Sequence, residues 1–251
     1  MSRRAAAPVA ALLLILSGCG ASLTEKRGGA ANFESGKAAY DRRDYVEAEL
    51  DLKAYVEQYP GTDKTDDALY YLGLAYMKTK EYALGSSQFD RLTRDFPQSE
   101  YQPDAMFYLA RCDDLDSRPA PLDQTETQRA IDRYRAFLDQ FPESPHTKEA
   151  VTRRDALIDR LAEKRYRNGR LYLKLKQRPA AEIYLRGVLV DYPESRWAGD
   201  SAVLLADILV DQGNKEEAIE VLRKVPSAAT SDAKAHAKSL LRDLGAAAAA
   251  P

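Results

Sequence analysis

The chain has 251 residues, 37 of them basic and 39 acidic, with 45% hydrophobic and 30% charged overall. That near-balance excludes the strongly basic face expected of a nucleic-acid binder, and a chain this apolar with no long polar tract should bury a core. Its two cysteines, Cys19 and Cys112, leave a pairing open on counting alone. The first element in chain order is Arg3 and Arg4 followed by an apolar run over residues 5–16, then small residues. This order reads as a secretory signal, because the run falls short of the roughly 20 apolar residues of a spanning helix.

The stretch Leu16-Ser17-Gly18-Cys19 resembles the lipobox of bacterial lipoproteins. The resemblance implies removal of residues 1–18, diacylglycerol on the Cys19 thiol and acylation of the new amino group; Gly20 favours the outer over the inner membrane. Each buried methylene contributes about 0.8 kcal/mol, so three acyl chains make a nearly permanent tether. Taking away Arg3 and Arg4 leaves 35 basic residues against 39 acidic ones. Lipidation also leaves Cys112 without a partner. Residues 19–30 read as a flexible linker.

From residue 31 onward, Tyr/Phe-Pro followed two residues later by Ser/Thr occurs at Tyr59-Pro60, Phe96-Pro97, Phe141-Pro142 and Tyr192-Pro193. Each copy ends one amphipathic stretch with helical spacing and precedes another. Proline pushes the preceding residue out of the α region, so a helix stops there. The Ser/Thr is expected to cap the next helix, with Pro145 at a first helical position. With strand signals nearly absent, the body is expected to be all-α. The prolines lie 37, 45 and 51 residues apart. The segments resemble the tetratricopeptide repeat, a helix pair that buries a core only when stacked on its neighbours. Gly36, Gly73 and Gly169, with Ala110 and Ala206, are the small residues that let paired helices approach. About five pairs over residues 31–244 form an α-solenoid, and residues 245–251 a frayed tail. About eight extra residues near 113–122 lengthen the turn of the third pair, and the run 159–167 reads as the solvated face of a long helix.

No catalytic constellation emerges, and no enzyme, cofactor or metal is expected. His146 and His236 are 90 residues apart and are read as exposed. Residues 31–38 echo a phosphate-binding loop but lack its first glycine, final Ser/Thr and preceding strand. Cys112 is expected to be packed, and the pairs Asp66-Asp67 and Asp113-Asp114 to sit at helix starts or in the long turn. What remains is the groove that first helices line in this repeat family, at their second, fifth, ninth and twelfth positions. Carried onto this chain, these include Phe33, Lys37 and Tyr40, then Tyr70, Leu74 and Met77, then Asp104, Phe107 and Arg111. Such an aromatic groove with a few charges suits an extended peptide.

Three features resemble the BamD/YfiO family, tetratricopeptide lipoproteins of the outer-membrane β-barrel assembly machinery. They are Asp123-Gln124-Thr125-Glu126-Thr127 before repeat three's second helix, the Arg154, Leu157, Asp159, Leu161-Ala162 segment of a long fourth repeat, and Tyr172 through Ala180-Ala181 to Asp191-Tyr192-Pro193. The resemblance covers residues 31–225 and departs where Arg167-Asn168-Gly169-Arg170-Leu171-Tyr172 replaces the family's Glu-x-x-Val-Ala-x-Tyr-Tyr. It implies that N-terminal repeats engage C-terminal segments of unfolded outer-membrane proteins, a terminal aromatic sitting among Phe33, Tyr40 and Tyr70 with Lys37 or Lys78 near its carboxylate. It also implies that C-terminal repeats hold the periplasmic domains of a BamA-like barrel protein, alongside other assembly lipoproteins, at the periplasmic face of the outer membrane. Two other readings stand beside this one. An envelope scaffold such as a Tol-Pal coordinator or a secretin pilotin shares such repeats, although residues 20–32 lack the coordinator's coiled-coil heptads. An anchored glycan hydrolase or amidase would need an acidic or metal site.

Overall fold

A computed structural model describes residues 32–119 and 122–246. The signal segment, Cys19 and its linker, and the tail from 247 lie outside the described residues. Within them every regular element is helical: α1 (Phe33–Asp41), α2 (Tyr45–Gln58), α3 (Thr65–Lys78), α4 (Tyr82–Asp95), α5 (Gln102–Asp116), α6 (Thr125–Gln140), α7 (Thr147–Lys174), α8 (Arg178–Asp191), α9 (Arg196–Asp211), α10 (Lys215–Arg223) and α11 (Ser231–Asp243). Each helix packs on its chain neighbours, and first helices also meet first helices, α1 with α3, α5 with α7 and α7 with α9. Five helix pairs follow in tandem, and α11 closes the last one against α9 and α10. No described helix is long and apolar enough to cross a membrane.

The aromatic-proline punctuation produces the same backbone each time. Tyr59, Phe96, Phe141 and Tyr192 have φ between −128 and −136° and ψ between 51 and 67°, outside the helical region, as a residue before proline must. Ser99, Ser144 and Ser195 then donate their backbone N–H to the carbonyls of Phe96, Phe141 and Tyr192 at 3.0–3.1 Å. These serines therefore close the turn; they do not cap the next helix. Ser99 and Ser144 stand two residues before the N-caps Tyr101 and His146, and Ser195 is at an N-cap position but its hydroxyl makes no cap bond. Pro145 likewise precedes α7 rather than opening it.

The turn inside the pairs repeats as well. Asp44, Glu81, Gln177 and Asn214 donate backward to Ala39, Tyr76, Tyr172 and Leu209 at 2.8–2.9 Å, the six-to-one bond of a Schellman cap. The residue before each is left-handed: Arg43 (φ 65°), Lys80 (67°), Lys176 (57°) and Gly213 (86°). A side chain there strains the backbone by roughly 1–2 kcal/mol, which glycine avoids at some cost in unfolded-chain entropy. Lys80→Gly is thus expected to stabilise the fold by about 0.5–1 kcal/mol in urea unfolding. A loss of stability would show that the Lys80 side chain does something else.

Three buried clusters form a core that runs along the repeats. Leu52, Leu69, Phe89 and Leu92 centre the first, Tyr134, Phe137 and Leu157 the second, and Leu185, Leu205 and Leu209 the third. Tyr108 packs against the first and second, Tyr192 against the second and third. Helix α7 extends over 28 residues because it serves both: Ala150, Leu157 and Leu161 face the second cluster, Ala162 and Tyr166 the third. The pair Asp113-Asp114 lies in the last turn of α5, so the inserted segment begins at Ser117 rather than at residue 113. Gly245 (φ 75°) and Ala246, whose N–H reaches Leu241 at 2.8 Å, finish α11 instead of fraying.

Candidate peptide-binding face

The first helices of repeats one to three carry aromatic residues that touch one another in an unbroken series. Tyr40 meets the edges of Tyr45 and Tyr71 at 5.6 and 5.5 Å, and Tyr71 meets Phe33 at 6.4 Å and Tyr101 at 6.4 Å. Tyr70 stacks on Tyr101 at 4.3 Å and leans toward Tyr108 at 6.3 Å. The series ends where His146, at the start of α7, lies flat on Phe107 with centroids 4.3 Å apart and planes 4° from parallel. Offset and edge contacts of this kind add about 0.5–1.5 kcal/mol per pair beyond area burial, so the series is a rigid platform.

Charged groups fix its polar edges. The Lys37 ammonium sits 5.1 Å above the Tyr71 ring and 2.9 Å from Asp41, whose hydrogen bond holds the lysine's pKa above its ordinary value. Tyr70 donates its hydroxyl to Asp104 at 3.2 Å, and Tyr101 donates to Asp67 at 2.7 Å. His146 Nε2 is 3.2 Å from the other oxygen of Asp104. Burial pushes the Tyr40 phenol up to about 12, and burial also raises Tyr70, Tyr101 and Tyr108, so these hydroxyls stay neutral at physiological pH. Farther along, Asp114 accepts from Arg111 at 2.9 Å, Arg153 at 3.3 Å and Tyr134 at 3.3 Å. Beside it opens a cleft of about 710 Å³ lined by Pro145, Lys148, Glu149, Arg153, Leu157 and Arg160 among others.

Besides Asp104, the eight other groove residues expected from the repeat pattern and Lys78 from the family resemblance separate into three groups. Phe33, Tyr70 and Phe107 are buried at 6, 9 and 2% exposure, and each supports the ring chain from within. Lys37, Tyr40 and Arg111 are half-buried and paired as described, and Leu74 and Met77 pack against the first cluster. Lys78 is exposed at the end of α3. Besides Tyr40, the half-buried aromatics of this face are Tyr71 and Tyr108, one residue beyond Tyr70 and Phe107, together with Tyr101. His146 corrects the reading of an idle exposed histidine: it is half-buried and stacked. Tyr71 and Tyr108 share the 37-residue offset of Pro60 and Pro97, but so do Tyr70 and Phe107, so the offset marks the aromatic pairs without telling their members apart.

Two buried polar groups belong to the frame rather than to a reaction. Burial raises the Cys112 thiol to about 12, so it stays protonated and unreactive at neutral pH. Asp113, at 2% exposure, accepts from Arg129 at 2.8 Å and Arg133 at 2.7 Å. Among the described residues no three His, Cys, Asp or Glu side chains converge as a metal site.

The chain is 24% identical to the outer membrane protein assembly factor BamD of Haemophilus influenzae over 82% of each chain. It is 24% identical to the assembly factor BamD of Caulobacter vibrioides, over 74% of this chain and 61% of that protein's length. A solved structure, that of MamA, is similar at 15% identity over 82% of this chain and 96% of that one, with a TM-score of 0.32. The sequence profile described as YfiO, outer membrane lipoprotein, matches residues 29–221, from just before α1 to the last turn of α10. A match over that span places the chain in the YfiO family of outer membrane lipoproteins.

Proposed function

We propose that this protein is a non-enzymatic assembly factor that holds unfolded outer-membrane proteins for the machinery that folds and inserts them. The observation that carries the reading is the continuous ring series from Tyr40 to His146, fixed by Lys37, Asp67 and Asp104. A surface of pre-positioned half-buried rings takes up the apolar side chains of an extended segment at little entropic cost. A cation at the same face provides for a terminal carboxylate. In this reading repeats one to three engage the C-terminal segments of client chains, and the later repeats hold the periplasmic domains of a BamA-like barrel protein together with other assembly lipoproteins. Acyl chains on Cys19 keep the body at the periplasmic face of the outer membrane. The names of the BamD relatives support the assembly role.

A fluorescein-labelled peptide ending in a free-carboxylate phenylalanine, as barrel proteins carry, tests this by anisotropy. Tyr71→Ala combined with Lys37→Glu is expected to weaken binding by about tenfold or more, the loss of one aromatic contact and one charge pair. Both side chains are only half-buried, so circular dichroism should be unchanged. Equal affinity of the variant would sink the placement of the client on this face.

A further inference from the structure

A second groove lies at the other end of the molecule, on the first helices of repeats four and five. It has a volume of about 420 Å³ and is lined by Tyr166, Arg167, Arg170, Leu171, Lys174 and Trp197. Three of the six are cations and none is an acid. Arg167 is held by Glu163 at 2.6 Å, whereas neither Arg170 nor Lys174 has a carboxylate within ion-pair distance among the described residues. The floor is aromatic: Tyr166 and Trp197 stack at 5.0 Å, with the Arg170 guanidinium 5.7 Å over Tyr166 and that of Arg196 5.0 Å over Trp197. Leu171 is 52% exposed at the groove, and Leu175, one turn on, is 55% exposed. The Trp197 indole N–H has no acceptor among the described residues.

Each feature asks for something that the chain does not itself supply. Arg170 and Lys174 are exposed and make no ion pair among the described residues, so an incoming carboxylate can engage them, although Arg170 also feels the nearby Asp200 carboxylate; a buried donor without an acceptor costs about 1–3 kcal/mol. The segments outside the described residues offer no complement. The stretch 20–31 contains a single acid, Glu25, followed directly by Lys26 and Arg27, and residues 247–251 contain none. We propose that this groove binds an extended acidic peptide segment of a partner protein, its carboxylates facing Arg170 and Lys174 and an apolar side chain lying on Leu171 and the Tyr166–Trp197 stack. Charge complementarity selects the segment. This inference rests on the assembly reading only in that a partner protein docks on the later repeats, and it holds whichever clients the N-terminal repeats take.

Trp197 is the chain's one tryptophan, so its emission reports the groove directly. Titrating the intact protein with acetyl-Glu-Glu-Phe-Glu-Glu-Leu-Glu-amide at low salt is expected to change that emission saturably. The same peptide with glutamine at every glutamate should bind at least about tenfold more weakly, and salt should weaken the acidic one. The double variant Arg170→Glu, Lys174→Glu, both exposed positions, should lose the acidic peptide by a similar factor while keeping its helical spectrum. An unchanged emission, equal binding of the glutamine peptide or full binding by the charge-reversed variant overturns the proposal. So does an equal response to phosphatidylglycerol vesicles, which would make the groove a site for anionic lipid. Loss of the phenylalanine-terminated peptide at Tyr71 would leave this result untouched, so the two readings fail separately.

Discussion

Replacing both Arg129 and Arg133 by alanine is expected to destabilise the protein by about 3–5 kcal/mol, the cost of leaving a carboxylate buried without its cations. Asp113, in the last turn of α5, has a side chain only 3% accessible, and both guanidiniums come from α6, at 2.8 and 2.7 Å. Arg133 also reaches back to Ser86 on α4 at 2.9 Å, so one cluster ties three helices beside the inserted segment. The two arginines are 47 and 25% accessible, so each alone is partly hydrated, and either single variant should cost less than half of the double. The cost belongs to the stranded charge, which gives the decisive control. Adding Asp113→Asn to the double variant should recover a large part of the loss in urea unfolding, since a neutral amide is cheaper to bury than a carboxylate. If the triple variant is no more stable than the double, the arginines act through packing and the electrostatic account is wrong.

Much of the architecture was legible because it depends on residues whose constraints are local. Proline dictates the backbone of the aromatic before it, and four such pairs marked four helix ends. Gly36, Gly73 and Gly169 marked helix pairs, and each faces a core residue 16 positions later, Leu52, Phe89 and Leu185. The left-handed turns were illegible, because Arg43, Lys80 and Lys176 are residues that ordinarily avoid that conformation; only Gly213 carries the usual signal. The role of Asp113 was hidden for a different reason. Its partners lie 16 and 20 residues on, across an insertion, where no helical spacing relates them.

The site was half legible. Its aromatic character and its first-helix location follow from the repeat. Which of two adjacent aromatics turns inward does not, because Tyr70-Tyr71 and Phe107-Tyr108 offer rings at both positions and one residue is a 100° rotation of the helix. The packing settles it: Phe107 turns in to the buried rings Tyr134 and Phe137 and Tyr70 is buried against Phe89 and Tyr101, whereas Tyr71 and Tyr108 stay half-buried, Tyr108 with one face on Phe89. His146 falls to this face through α7, and its flat stack on Phe107 comes from a neighbouring repeat that no pattern within one repeat describes.

Gly73→Ala joins this frame to the site, and it is expected to cost about 2–3 kcal/mol through overpacking. A Cβ at residue 73 would stand 2.7 Å from the Phe89 ring, which is completely buried and has no free volume to enter. Either the ring tilts or α3 and α4 separate. Phe89 also lies 6.3 Å from Tyr70 and 5.7 Å from Tyr108, so a displaced ring is transmitted to the aromatic face. The variant should therefore weaken the phenylalanine-terminated peptide although residue 73 is itself buried and away from it. Repeat five shows how the strain is relieved: Ala206 occupies the equivalent position, 16 residues before Leu222, and both are buried. Pairing Gly73→Ala with Phe89→Leu should accordingly recover part of the lost stability, a favourable coupling measurable in a double-mutant cycle. Peptide affinity should not return with it, because leucine removes the ring on which Tyr108 stacks. Recovery of stability and affinity together would mean that the aromatic face is held by its own contacts and owes nothing to Phe89.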